Sequence, residues 1–88
     1  MRETEIRTRL NVAKVLSVAG QRMKAEQAYK ALLAEAEEAE GFHSLLAGSV
    51  LVELADFYEM QEREEEAEQV WKRIRTILVI GLKNLNYG

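Results

Sequence analysis

One histidine and no cysteine stand among the 88 residues, so few side chains here could do chemistry. His43 follows Glu40 by three positions, and Glu-x-x-His on a helix sets a carboxylate and an imidazole on one face. Helical bundles hold pairs of iron ions with that spacing, and a homodimer would supply two copies of it. The motif straddles Gly41 at a predicted turn, however, where the two side chains need not share a face. No glutamate among the apolar positions of a facing helix completes a metal shell. His43 is therefore read as a surface or capping residue, with a dimeric carboxylate–histidine metal bundle as the alternative. Without cysteine there is no thiolate nucleophile, no glycine-rich phosphate loop is present, and the lone histidine has no paired serine motif. The acidic residues number 15, but solvated carboxylates are poor general acids. Catalysis is not expected, nor is a cofactor.

The elements that would carry these residues are helical. No proline interrupts the chain, and the glycines fall mostly where helices should end. Four helices are predicted. The first runs from about Glu3 to Ala19, with Ile6, Leu10, Val12, Ala13 and Leu16 inward, and stops at Gly20. The second, about Arg22 to Glu40, buries Ala25, Ala28, Tyr29, Leu32, Leu33 and Ala36 and ends at Gly41. Ser44 caps or opens the third, in which Leu46, Val50, Leu51, Leu54, Ala55 and Tyr58 face inward. Gly48 within it implies close packing against a neighbour. The fourth starts at Glu64, Glu65 and Glu66, whose charges suit a helix N-terminus, and continues through Trp71 toward Leu82 or beyond. The fold class is all-α in a single domain over residues 1–88, with 48% hydrophobic content enough for one small core.

Charge is blocked along the chain. Residues 1–24 carry six basic and two acidic groups, residues 25–68 two and thirteen, and residues 69–88 four and none, within a net charge of −3. Glu35, Glu37, Glu38 and Glu40 crowd the C-terminal end of the second helix, where the macrodipole disfavours them, so Arg2, Arg7 and Arg9 of the antiparallel first helix are the expected counter-charges. Net acidity without a basic stripe argues against nucleic acid. The longest apolar run, residues 77–80, is too short to span a bilayer. The N-terminal segment lacks an export signal's apolar stretch, and a cytoplasmic location is expected.

Two stretches nearly copy each other. Ala25 to Leu32 and Ala67 to Ile74 lie 42 residues apart with four of eight positions identical, and the same offset carries Val12, Ala13 and Leu16 onto Leu54, Ala55 and Tyr58. Such a period signals a repeat architecture. The pattern resembles the tetratricopeptide repeat, with small residues at helix crossings (Ala13 with Ala25, Ala55 with Ala67), aromatics at Tyr29 and Trp71, and Gly20 in the first turn. Departures from the family are Glu62 in place of the second turn glycine, Arg9 and Leu51 where a tryptophan is usual, and no closing proline. Glu62 makes the second turn the less regular expectation. The spacing exceeds the usual ~34 residues and is similar to that of kinesin light chain repeats. The resemblance implies two units, about residues 5–40 and 43–82, forming antiparallel hairpins in a right-handed α-solenoid fragment.

The family binds peptides along the first helix of each unit. That maps onto Arg7, Leu10, Asn11, Lys14 and Ser17, then Ser49, Val52, Glu53, Asp56 and Glu59, with an idle solvated face as the alternative. Leu10, Lys14 and Glu53 stand where a carboxylate-gripping member has lysine and asparagines, so that mode is not expected. A second partner signal comes from the end of the fourth helix. Ile77, Leu78, Val79 and Ile80 cover a whole helical turn, and Leu82, Leu85 and Tyr87 add more apolar surface than two units can bury. Stacked repeats need a cap, and none is evident. Ile77, Val79, Ile80, Leu82 and Leu85 are therefore expected to mediate self-association, most simply as a dimer. The alternatives are a tail folded over its own bundle or a fragment of a longer array, although Met1 favours a complete chain. The function expected is a non-catalytic interaction module for a protein or peptide partner.

Overall fold

The computed structural model describes residues 2–86, with the side chains of residues 3–84. Four helices account for nearly all of them: α1 (Arg2–Val18), α2 (Arg22–Glu40), α3 (Leu45–Met60) and α4 (Glu64–Asn86). Ser44 caps α3, its Oγ accepting from the N–H of Ala47 at 3.0 Å. Glu3 and Glu5 in the first turn of α1, and Glu64, Glu65 and Glu66 in that of α4, place negative charge at the positive end of each helix dipole.

Three- and four-residue connections force consecutive helices to run antiparallel. Each helix packs on the next, α1 also touches α3, and α2 and α4 stand further apart. The slab measures 45 × 32 × 16 Å.

The two hairpin turns are built alike. In the first, the N–H of Gly20 donates to Ser17 O and that of Gln21 to Leu16 O; in the second, Glu62 donates to Glu59 O and Arg63 to Tyr58 O. Both are Schellman closures, which require a left-handed residue after the helix. Gly20 has φ 86° and Glu62 φ 59°. The sequence expectation of a less regular second turn is therefore corrected. The hydrogen bonds impose the same conformation on a glutamate that a glycine adopts freely, at a cost of about 1–2 kcal/mol.

Between the layers lie the four small residues of the repeat pattern, Ala13, Ala25, Ala55 and Ala67, all buried. Tyr29, also buried, packs on Phe57 with ring centroids 5.6 Å apart. Phe57 heads the largest fully buried side chains, and burying a ring of that size contributes about 1.5–3 kcal/mol. Gly48 does face a neighbour: a Cβ added there would lie 3.5 Å from Ile77, an ordinary van der Waals distance. One inward and two surface assignments change. Val12, read as inward, is 55% exposed, whereas Leu10 and Ile77, read as groove and self-association residues, are buried in the core, Leu10 in keeping with its place on the inward face of the first helix. Leu10 belongs to the buried cluster, and Ile77 lies over Gly48.

Candidate interaction surface

α1 and α2 form a groove, and α3 fills it. Inside that seam Glu26 of α2 gathers three partners. Tyr58 Oη donates to it at 2.9 Å, the Arg63 guanidinium meets both its oxygens at 2.8 and 3.1 Å, and Lys30 approaches at 3.2 Å. Arg63 also binds Glu66 and lies 4.7 Å over the Tyr58 ring. The Arg63 hydrogen bonds outweigh the cost of burial and hold the Glu26 carboxyl at about 2, well below its ordinary range. Burial, then the bond to Glu26, pushes the Tyr58 hydroxyl up to about 12. Burial, with help from the charges of Glu53 and Asp56, raises Tyr29 equally.

One repeat period later the corresponding groove, between α3 and α4, is open. Trp71 matches Tyr29 in sequence but is only half buried, and its Nε1 donates to Glu59 at 2.9 Å. Glu59, Glu62, Glu64, Ala67, Glu68 and Trp71 line a depression of about 330 Å³. Further along the same groove Arg7, Ser49, Val52, Ile74, Ile77 and Leu78 border a recess of about 450 Å³, with Glu3, Leu45, Leu46 and Gly48 completing it. It continues into an apolar hollow of about 510 Å³ bounded by Leu45, Leu78, Ile80, Gly81 and Leu82 beside His43. Gly48 sits three residues into α3 while α4 extends nine residues past Ile77, so the end of α4 overruns the start of α3.

The sequence-assigned groove residues thus divide. Arg7, Ser49 and Val52 share the 450 Å³ recess, while Asn11 and Lys14 lie with Val15, Val18 and Ala19 in a separate depression on the outer side of α1. Ser17 and Glu53 are half buried and Asp56 is exposed. Of the self-association residues, Val79 and Leu82 are exposed and Ile80 is half buried; the side chain of Leu85, like Tyr87, lies outside the described residues. Leu78, at 55% exposure, belongs with them. Leu45, exposed at the start of α3, is a surface residue that the reading of the fourth helix alone did not find, because its nearness to Leu78 across two helices carries no signal within one segment.

The counter-charges are also redistributed. Arg9 pairs with Glu35 at 2.6 Å, as expected, and that pair raises the Arg9 pKa. Glu37 instead takes Arg73 from α4 at 2.8 Å, with the guanidinium 3.8 Å over the Phe42 ring. This stack holds the α2–α3 connection against α4, although Arg73 Nε is buried without a partner. The Arg2 side chain lies outside the described ones. His43 meets Phe42 edge to face at 5.1 Å, past the end of α2, so Glu40 and His43 do not share a helix face. Among the described residues no three His, Cys, Asp or Glu converge as metal ligands, and no helix is long and apolar enough to cross a membrane. No family model, curated protein or solved structure matches the chain.

Proposed function

We propose that this chain is a non-catalytic, tetratricopeptide-like interaction module that self-associates through α4 and the groove beside it. The observation that carries the reading is the open groove itself. Val52, Leu78, Val79 and Leu82 are each between 42% and 61% exposed, and Leu78 bounds both the 450 Å³ recess and the 510 Å³ hollow. A contiguous apolar surface of this kind on a small domain is a docking site, because water gains by its removal. The matched turns and the buried alanines at the 42-residue period support the repeat reading. The recess beside Arg7 and Ser49 has room for an apolar side chain of a peptide, and it lies within the same groove.

Light scattering coupled to size exclusion tests the assignment. The expected result is a species heavier than 10.1 kDa at micromolar concentration, reduced to that mass by Leu82→Glu with helicity unchanged. A wild-type monomer throughout the micromolar range overturns self-association.

A further inference from the structure

The chain contains its own template for what fills the open groove. Inside the molecule, α3 lies in the α1/α2 groove, setting Phe57 on Tyr29 and the Tyr58 hydroxyl on Glu26. The residues one period later than Tyr29 and Glu26 are Trp71 and Glu68, and both line the vacant depression. The residues one period earlier than Leu54 and Phe57 are Val12 and Val15 of α1, and they are 55% and 65% exposed. The two ends of the chain therefore present, uncovered, the two halves of a contact that is made once within it. From this, resting on the self-association proposed above, we infer that the occupant is a second copy of the chain, docked head to tail, with its α1 in the α3/α4 groove of the first.

Size and charge both fit this occupant. Tyr29 against Phe57 becomes the larger Trp71 against the smaller Val15, so the volume of the pair is roughly conserved. Lys14 stands one period before Asp56, whose charge reaches Tyr29. The second copy thus delivers the Lys14 ammonium beside Trp71, into a depression lined by four glutamates. A cation over an indole flanked by carboxylates is a favourable arrangement. A symmetric α4-to-α4 contact would instead leave Val12 and Val15 uncovered and bring the basic second halves of two α4 helices together. Head-to-tail contacts are heterologous, so each added copy presents a fresh groove and growth is limited only by concentration or ring closure.

Complementation between two single-end variants tests the geometry by sedimentation velocity with one variant fluorescently labelled. Val15→Asp spoils α1 and leaves the groove intact; Leu78→Asp spoils the groove and leaves α1 intact. Each alone is expected to be monomeric with unchanged circular dichroism, and their mixture is expected to form a 1:1 dimer and nothing larger. Lys14→Glu, at an exposed position, is expected to weaken wild-type association at least tenfold. A Val15→Asp variant that dimerises as well as wild type, with no new species on mixing, overturns the head-to-tail contact while sparing self-association through α4. A wild-type monomer overturns both.

Discussion

Tyr29 and Trp71 match in sequence, 42 residues apart, and meet different neighbours. Tyr29 is covered by Phe57 of the next helix, while Trp71 looks onto a vacant groove and satisfies its indole N–H with Glu59. The same contrast runs along both helices. Ala36 is fully buried where Leu78 is 55% exposed, and Glu26 holds three partners where Glu68 pairs with Arg75 across exposed surface. Similar local sequence thus yields a core on one side and a surface on the other, depending on whether a further helix follows. Burial here is set by the neighbouring helix and not by the residue type alone.

The contrast is broken most severely at the ring pair. Phe57→Ala should cost about 3–5 kcal/mol in chemical denaturation, because it removes a fully buried ring. Val15→Ala, its counterpart on the open side, should change monomer stability by less than about 0.5 kcal/mol. Equal losses would mean that the two positions are not distinguished by a covering helix.

The carboxylates come next. Glu26→Gln weakens a charge-assisted contact with Arg63 and should cost about 1–3 kcal/mol at neutral pH, against about 0–1 for Glu68→Gln. The sign of the pH dependence follows from the lowered Glu26 pKa. The unfolded chain takes up its proton near 4.5 and the folded chain only near 2, so the contribution is complete above about 4.5 and is lost as pH falls toward 2. Wild type should lose stability through that window, and Glu26→Gln should flatten the loss. Parallel pH profiles for the two proteins would remove Glu26 from the account.

Turns give a smaller and opposite pair of effects. Glu62→Gly should stabilise by about 1 kcal/mol by relieving the left-handed glutamate, whereas Gly20→Ala should destabilise by a similar amount. Thermal melts read both. Gly48→Ala should stabilise by about 0.5–1 kcal/mol, since helix propensity rises and Ile77 lies at ordinary contact distance. A loss there would show that the two helices are closer than van der Waals packing requires.

Helices, caps and the alanine crossings were legible because they depend on local signals: Ser44 before an apolar run, three glutamates opening α4, glycines at helix ends. Phe57 was not, because α3 packs on α1, α2 and α4 and so buries more than one stripe. A reading that assigns each helix a single inward face picks Tyr58 and passes over its neighbour. Val12 was misplaced because it sits at the edge of the buried stripe of Ile6, Leu10 and Ala13. Leu10 and Ile77 continue buried stripes, Ile77 that of Ala67, Val70 and Ile74, so their groove and self-association readings ran against the helical spacing. Glu62 was misjudged because the backbone hydrogen bonds of the turn, rather than the residue type, set its conformation. The open groove spans α3 and α4, and no single segment announces it.

Arg63, in the turn of the second hairpin, reaches back to Glu26 in the first and also holds Glu66 in the first turn of α4. Its clasp on Glu26, unlike that on Glu66, cannot form until both hairpins exist and have met. It therefore belongs to the last stage of assembly, and its strength acts on the lifetime of the finished molecule rather than on the speed of reaching it. In stopped-flow measurements Arg63→Ala should steepen escape from the native state and leave refolding nearly unchanged; a slowed refolding arm would place the clasp early instead.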